Sequence, residues 1–284
     1  MGKVIDQGFK EAEKLTKKHA KTFYFASKFL GLEKRRAAYS IYAICRISDD
    51  SVDNANGGLK KLSRIEEKIN SAYGLDCSRE ALLLAFKQTV DKYNIPKNYF
   101  DQLIKGMHLD LEKKSYADFK QLYDYCYKVA GVVGLIMLEV FGYRDNKAKQ
   151  PAVDLGIAMQ LTNILRDVKE DLGLGRIYLP QDELKSFGLS QEDLSSEKIS
   201  DKFITFIKYQ IRRARNYYQL ADEGIKMITD KRSRFVVCAM SKVYGAILDQ
   251  IEKNNYDLFF QRASVSRLGK LGLLAKVIIE GKYR

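Results

Sequence analysis

The pattern of apolar and polar residues along this chain is one of helix after helix, separated by short breaks. It predicts helices over about 4–18, 33–54, 60–73, 79–93, 97–113, 119–142, 148–172, 197–224, 228–255 and 264–280. Turn residues such as Asn94-Ile95-Pro96 mark the breaks, and no alternating strand pattern with a hairpin signal stands out. The sequence therefore predicts an all-α fold, a helical bundle whose facing helices enclose a central cavity.

The composition supports long helices and a large core. The chain has 284 residues, of which 46% are hydrophobic, and it contains only 3 prolines to interrupt helices. Leu, Ala, Lys and Glu, which favour helix, are abundant. Because no low-complexity linker or internal repeat is apparent, we expect a single domain over residues 1–284.

The net charge is +13, which fits a nucleic-acid ligand, a membrane surface, an anionic small substrate or simply a solvated basic surface. Basic clusters such as Lys34-Arg35-Arg36 are too short for a nucleic-acid-binding tail, so we expect no nucleic-acid partner. The four cysteines are far apart and form no CxxC pair, which predicts reduced thiols in a cytoplasm.

No segment predicts a membrane-spanning helix. The most apolar stretch, Val129 to Gly142, contains Glu139 and is shorter than the roughly 20 residues that a spanning helix needs. Peripheral contact with a membrane surface stays open as an expectation, and the sequence does not indicate an oligomeric state.

Two acidic strings could carry chemistry. In the first, Asp49 and Asp53 are four residues apart late in a predicted helix, so their carboxylates share one face. A divalent cation would relieve their repulsion, because hard oxygen ligands suit Mg²⁺. Taken alone, this string fits a solvated helix end equally well.

The second string repeats the same spacing twice. Asn163, Asp167 and Asp171 place oxygen ligands along one side of a predicted helix, and apolar residues lie between them. Two such faces across a bundle predict a site where several Mg²⁺ ions neutralise a departing diphosphate. Arg46 and Arg166 flank the two strings, and their guanidinium groups suit phosphate oxygens or the neighbouring carboxylates.

These strings resemble a known family. Ala38 to Arg46 followed by Asp49 to Asp53 resembles the first signature of the squalene/phytoene synthase family, and Gln160 to Asp171, continuing to Pro180, resembles the second. Tyr125 to Gly134 resembles the central apolar helix of the family. The resemblance extends from about His19 to Arg267 and implies a class I isoprenoid synthase bundle.

The resemblance also implies roles for individual residues. Mg²⁺, or Mn²⁺ in its place, would be held from two sides by Asp49, Asp53, Asn163, Asp167 and Asp171, and Tyr125 would lie at the reaction centre. The residues implied for substrate binding are His19, Thr22, Phe23, Tyr42, Arg46, Gln160, Arg166, Tyr244 and Arg267. At Gly131 and Gly134, missing side chains would let a prenyl tail pass close to the backbone.

The implied reaction joins two prenyl diphosphates head to head through a cyclopropylcarbinyl diphosphate. Two geranylgeranyl diphosphates giving phytoene, a step in carotenoid biosynthesis, is the favoured product assignment. The alternative is a C30 product from farnesyl diphosphate, which is dehydrosqualene, presqualene diphosphate or, with NADPH, squalene. Two other classes remain open, namely a class I terpene cyclase and a basic helical binding module.

Overall fold

The computed structural model describes residues 1–53, 58–74 and 79–281, without the side chain of Asp53. The helices are α1 (Gly2–His19), α2 (Lys21–Ser27), α3 (Leu32–Asp53), α4 (Gly58–Tyr73), α5 (Ala81–Lys92), α6 (Lys97–Glu112), α7 (Phe119–Cys126), α8 (Val132–Phe141), α9 (Lys149–Arg166), α10 (Val168–Gly173), α11 (Gln181–Ser186), α12 (Gln191–Ser195), α13 (Asp201–Ile225), α14 (Lys231–Lys253) and α15 (Arg267–Glu280). A π-helical turn, Tyr127–Gly131, joins α7 to α8, and a 3₁₀ turn, Asn146–Ala148, precedes α9.

The predicted all-α class is confirmed, since the described residues contain isolated bridges but no strand. Three details differ from the sequence prediction. The helix predicted over 119–142 contains the π turn, the helix predicted over 148–172 breaks at Asp167, and the short helices α2, α11 and α12 were not predicted. Short helices carry too few residues for a clear periodic signal, and a π turn keeps a helical pattern.

Helix α9 lies at the centre of the bundle, where it contacts α13, α8, α14 and the π turn. Glycines allow the closest approach: a Cβ on Gly134 would lie 2.1 Å from the carbonyl oxygen of Ala152, and one on Gly156 would lie 2.3 Å from that of Ala130. The backbone of α9 therefore touches the backbones of α8 and of the π turn directly, and a side chain at either glycine would force them apart.

This close approach limits the expected clearance for a prenyl tail to one of two glycines. A Cβ on Gly131 would meet Tyr127 and Val153, and the missing side chain of Gly134 is replaced by the backbone of α9. Both glycines therefore allow close helix packing. Gly134 also lines the cavity whereas Gly131 does not, so clearance for a prenyl tail stays a prediction at Gly134 alone.

Side-chain caps set where several helices begin. Asp118, Ser200, Asp230 and Ser266 each accept a hydrogen bond from the backbone amide three residues later, at the starts of α7, α13, α14 and α15. The Ser266 cap fixes the start of α15 after the loop that follows α14. Among the described residues, every helix is too short or too polar to cross a lipid bilayer.

Candidate active site

A cavity of about 920 Å³ lies inside the bundle, and its character changes along α9. Gln160 and Asn163 line it near the end of this helix. Met159 and Leu155 line it further toward the beginning, and Ala148 lines it from the 3₁₀ turn that precedes α9. The fifteen residues from Asn163 back to Ala148 correspond to about 22 Å of helix, at a rise of about 1.5 Å per residue. The cavity thus has a polar end and a long apolar wall, which suits a molecule with a charged head and a long hydrocarbon tail.

The first acidic string lies at the polar end, on α3. Arg46 donates through Nη1 to Oδ2 of Asp49 at 3.2 Å and through Nη2 to Asp50. Arg46, Asp49 and Tyr42 line the cavity. The buried Nε of Arg46 has no acceptor among the described residues, so one donor of this guanidinium remains available for an anion. The predicted ligand Asp53 ends α3, and its side chain lies outside the described residues.

The second acidic string spans the break between α9 and α10. Asp167 occupies the break with φ −107° and ψ 14°, yet its amide still donates to the carbonyl of Asn163 and its carbonyl accepts from the amide of Asp171, both at 2.9 Å. These two hydrogen bonds keep the four-residue steps helical, so Asn163, Asp167 and Asp171 all line the cavity as their spacing predicted.

Two arginines converge on Asp167. Arg166 donates to it through Nε at 2.8 Å and through Nη2, and Arg262 donates to its Oδ1 through Nε at 3.1 Å and Nη2 at 2.7 Å. Arg262 also pairs with Glu170 at 3.3 Å. The sequence did not identify Arg262, because it lies 95 residues from Asp167 and in a loop without a local pattern.

The oxygen donors fit a divalent cation. Oδ1 of Asn163 is buried without a hydrogen-bond donor among the described residues. Burial and then the charge of Asp167 raise the pKa of the Asp171 carboxyl to about 7. A bound cation would satisfy the amide oxygen and neutralise the buried carboxylate. The described His, Cys, Asp and Glu residues form no group of three around one point, so any cation held here needs other ligands as well, such as water or phosphate.

A lysine completes the polar end from a distant part of the chain. Nζ of Lys270, on α15, donates to the hydroxyl of Thr22 on α2 at 2.7 Å, and both residues line the cavity. Burial and the neighbouring Arg267 lower the pKa of this ammonium group. Arg267 itself is exposed and does not line the cavity, so its substrate contact stays a prediction.

A buried cluster of tyrosines surrounds Asp110 beside the cavity. Tyr178 donates to Oδ1 of Asp110 at 2.8 Å, and Tyr125 donates to Oδ2 at 3.2 Å. The rings of Tyr125 and Tyr178 stack at 5.1 Å, and Tyr116 packs against both. Burial, and then the charge of Asp110, raises the pKa of both phenols, so they stay protonated and donate. Sequence reasoning identified Tyr125 but missed Asp110 and Tyr178.

The other predicted substrate residues also line the cavity, namely His19, Phe23, Gln160 and Tyr244. The ring of Phe23 lies 5.8 Å from that of Tyr42. Burial raises the pKa of Tyr42 to about 12, so its hydroxyl is a donor at neutral pH. The structure therefore brings residues from both ends of the chain to one cavity.

A sequence model of the squalene/phytoene synthase family matches residues 16–269 of this chain. The chain belongs to the squalene/phytoene synthase family. The members of this family are prenyltransferases that generally use a divalent metal, so the chain is an enzyme of this type. This assignment sets aside the alternatives of a terpene cyclase and a basic binding module.

Curated relatives of this synthase carry phytoene synthase names. It is 37% identical to the 15-cis-phytoene synthase of Synechococcus elongatus over 286 aligned residues, covering 94% of this chain and 91% of the relative. It is 39% identical to a chloroplastic phytoene synthase of an Oncidium hybrid cultivar, covering 94% of this chain but 67% of that longer protein.

Solved structures agree on the fold. A dehydrosqualene synthase crystallised with a ligand superposes with a TM-score of 0.92 at 30% identity, covering 99% of this chain and 98% of that one. A squalene synthase from Alicyclobacillus acidocaldarius superposes with a TM-score of 0.84 at 27% identity, covering 90% and 97%. The predicted isoprenoid synthase bundle is thereby confirmed.

Proposed function

We propose that this synthase joins two molecules of geranylgeranyl diphosphate head to head and forms phytoene, with Mg²⁺ as the metal. The observation that carries the proposal is the cavity inside the bundle, whose polar end and apolar wall together extend about 22 Å along α9. A cavity of this shape holds a diphosphate among charged side chains and its tail along α9. The phytoene synthase names of relatives at 37% and 39% identity support the C40 product.

Asp49, Asn163, Asp167 and Asp171 line the polar end and would hold the metal, with Asp53 as the further predicted ligand. Bound Mg²⁺ supplies neutralisation of the charge that develops on the departing diphosphate. The guanidinium groups of Arg46, Arg166 and Arg262 donate to the oxygens of that diphosphate, and Lys270 adds a fourth positive charge.

The apolar part of the cavity surrounds the carbocation that forms when the first diphosphate leaves. Departure of the first diphosphate leaves an allylic cation, which alkylates the double bond of the second molecule. Loss of a proton from the resulting carbocation closes the ring of a cyclopropylcarbinyl diphosphate. A second ionisation, a rearrangement and loss of a proton give the triene-centred hydrocarbon. The stacked faces of Tyr125 and Tyr178 stabilise positive charge nearby, and the apolar wall excludes the water that would quench it.

A C30 product is the second candidate, because the dehydrosqualene synthase superposes over 99% of this chain. The sequence identity to it is 30%, which is lower than the 37% and 39% shared with the phytoene synthases. In both cases proton loss ends the reaction, and NADPH takes part only if the product is squalene.

The decisive experiment supplies purified protein with geranylgeranyl or farnesyl diphosphate and Mg²⁺, with and without NADPH, and analyses extracted products by mass spectrometry. Phytoene without NADPH supports the proposal. Dehydrosqualene from farnesyl diphosphate alone moves the assignment to the second candidate, and squalene that requires NADPH moves it to the squalene branch. If Asp49→Ala and Asp167→Ala release diphosphate like the parent, the assignment of the site is wrong.

The metal assignment predicts a change in thermal stability that needs no turnover. Mg²⁺ with inorganic diphosphate should raise the melting temperature of the parent by about 5 °C, since a ligand that binds only the folded state stabilises it. Asn163→Ala and Asp171→Asn should lose most of this rise. Without metal, Asp171→Asn should melt above the parent, because it removes a charge that burial and Asp167 disfavour.

Differential scanning fluorimetry measures both effects. Asp124→Asn is the matched control, since this carboxylate is exposed on α7 and pairs with Lys128 one helical turn later. It should respond to Mg²⁺ and diphosphate as the parent does. A full rise in Asp171→Asn would remove Asp171 from the ligand set.

The length of the apolar wall predicts product size. Ala152 lines the cavity eleven residues before Asn163, about 16 Å along α9. Ala152→Phe should block the space that the end of a C20 tail needs, and lower the ratio of C40 to C30 products about tenfold. The assay supplies equal amounts of geranylgeranyl and farnesyl diphosphate. Leu155→Met, a volume-conserving change on the same wall, should leave the ratio unchanged, and an unchanged ratio in Ala152→Phe would place the tail elsewhere.

A further inference from the structure

Helix α15 has two apolar faces, and one of them faces solvent. Leu274 and Val277 are buried against the bundle. Leu268, Leu271, Ile278 and Ile279 are exposed at 81%, 52%, 48% and 84%. At about 100° per residue, these four side chains fall within an arc of about 100°, centred about 120° from the buried pair. A helix that only closed the bundle would carry polar residues on this outer arc.

The charge on α15 favours one kind of surface. Arg267 and Lys276 are exposed and border the apolar arc, whereas Lys270 lies on the side of α15 that faces the bundle. The one acidic residue of the helix, Glu280, is its last and pairs with Lys276 at 3.7 Å. An exposed apolar stripe bordered by basic side chains is typical of helices that lie in the interface of an anionic bilayer.

Exposed aromatic residues extend this face onto α2. The contact between Lys270 and Thr22 joins the two helices. Phe25 follows Thr22 by three residues on α2, and Phe29, in the turn after α2, lies with its ring 6.1 Å from that of Phe25. Both phenylalanines are more than two-fifths exposed, and Lys28 beside them is exposed as well. The apolar area therefore exceeds what α15 alone provides.

The face lies beside the active-site cavity, because Lys270 and Thr22 line that cavity. We propose that α15 and the Phe25–Phe29 segment dock this synthase on an anionic membrane surface, with Leu268, Leu271 and Ile279 entering the interface. Docking would let long prenyl tails pass between the bilayer and the cavity. This consequence rests on the proposed function, whereas docking itself does not. A symmetric pairing of two copies through this face is disfavoured, since it would bring like basic residues together.

Vesicle flotation tests the proposal, with vesicles of phosphatidylcholine alone and of phosphatidylcholine with phosphatidylglycerol, at low salt and at about 0.5 M salt. The parent should bind the anionic vesicles at low salt. Its binding to the neutral vesicles, or to the anionic vesicles at high salt, should be weaker. The combined variant Leu268→Ser, Leu271→Ser and Ile279→Ser should bind the anionic vesicles at least about tenfold more weakly. Leu220→Ser, a similarly exposed leucine on α13, is the matched control and should bind like the parent.

A charge variant keeps the test valid if the triple variant misfolds. Lys276→Glu, at an exposed position, should weaken binding about tenfold at low salt, and Lys60→Glu on α4 should change it much less. Binding by the triple variant equal to that of the parent, or no binding by the parent, would overturn the proposal. If light scattering shows a dimer for the parent and a monomer for the triple variant, the face would instead be a contact between two copies of the chain.

The outcomes separate docking from catalysis. Hydrocarbon synthesis is measured in detergent micelles and vesicle binding without substrate. Docking without synthesis would contradict the proposed function alone, and synthesis without docking would contradict the membrane face alone.

Discussion

Asp167→Asn is expected to lower the rate of hydrocarbon formation about a thousandfold. Asp167 lines the polar end of the cavity at the break between α9 and α10, and it accepts hydrogen bonds from Arg166 and Arg262. The neutral amide removes a predicted metal ligand, and it also removes the charge that holds two guanidinium groups, proposed to bind diphosphate, in place. Because a single side chain serves both functions, its loss should affect turnover more than any other substitution at this end.

The fold should survive this substitution. An asparagine has the same shape and still accepts a hydrogen bond, so the melting temperature should fall by only a few degrees. The measurement is turnover at saturating Mg²⁺ by product mass spectrometry, with circular dichroism to verify folding. Asp124→Asn, which removes an exposed carboxylate on α7, should keep full activity. A folded Asp167→Asn that retains a fifth of the parent activity would show that Asp167 is not essential to the site.

Asp110→Ala should produce the largest loss of stability, about 2–4 kcal/mol in the free energy of unfolding. The carboxylate of Asp110 is 6% exposed and accepts from both Tyr125 and Tyr178. Without it, two buried hydroxyl groups lose their acceptor and a small cavity opens beneath the stacked rings. Hydrocarbon formation should fall as well, because Tyr125 would no longer be held at the proposed reaction centre.

Urea unfolding measures the loss of stability. An unchanged m value, the slope of the free energy of unfolding against urea concentration, is the sign of an intact fold. Tyr178→Phe is the graded comparison: it removes one donor and leaves the ring stack, so it should cost about 1 kcal/mol. If Asp110→Ala costs no more than Tyr178→Phe, the two tyrosines have found other acceptors and the cluster does not depend on Asp110.

Spacing along a single helix was predictable from the sequence, whereas contacts between distant segments were not. The steps of four from Asn163 to Asp171 predicted one face, and that face persists across the break at Asp167 because the two backbone hydrogen bonds through Asp167 survive. The break itself was invisible, since nothing in the residues around Asp167 interrupts a helical pattern. Similarly, the glycines of the central apolar helix were recognised, but the backbone of α9 that fills the space at Gly134 was not predicted.

The sequence by itself determined the helical class, the positions of most helices and the acidic face from Asn163 to Asp171, because helix periodicity and the spacing of ligands along one helix are local properties. Only the tertiary structure decided which side chains complete the site. Arg262 reaches Asp167 across 95 residues, Tyr178 reaches Asp110 across 68, and Lys270 reaches Thr22 across 248. Such contacts depend on how whole helices pack against one another, and spacing along the chain carries no record of that packing.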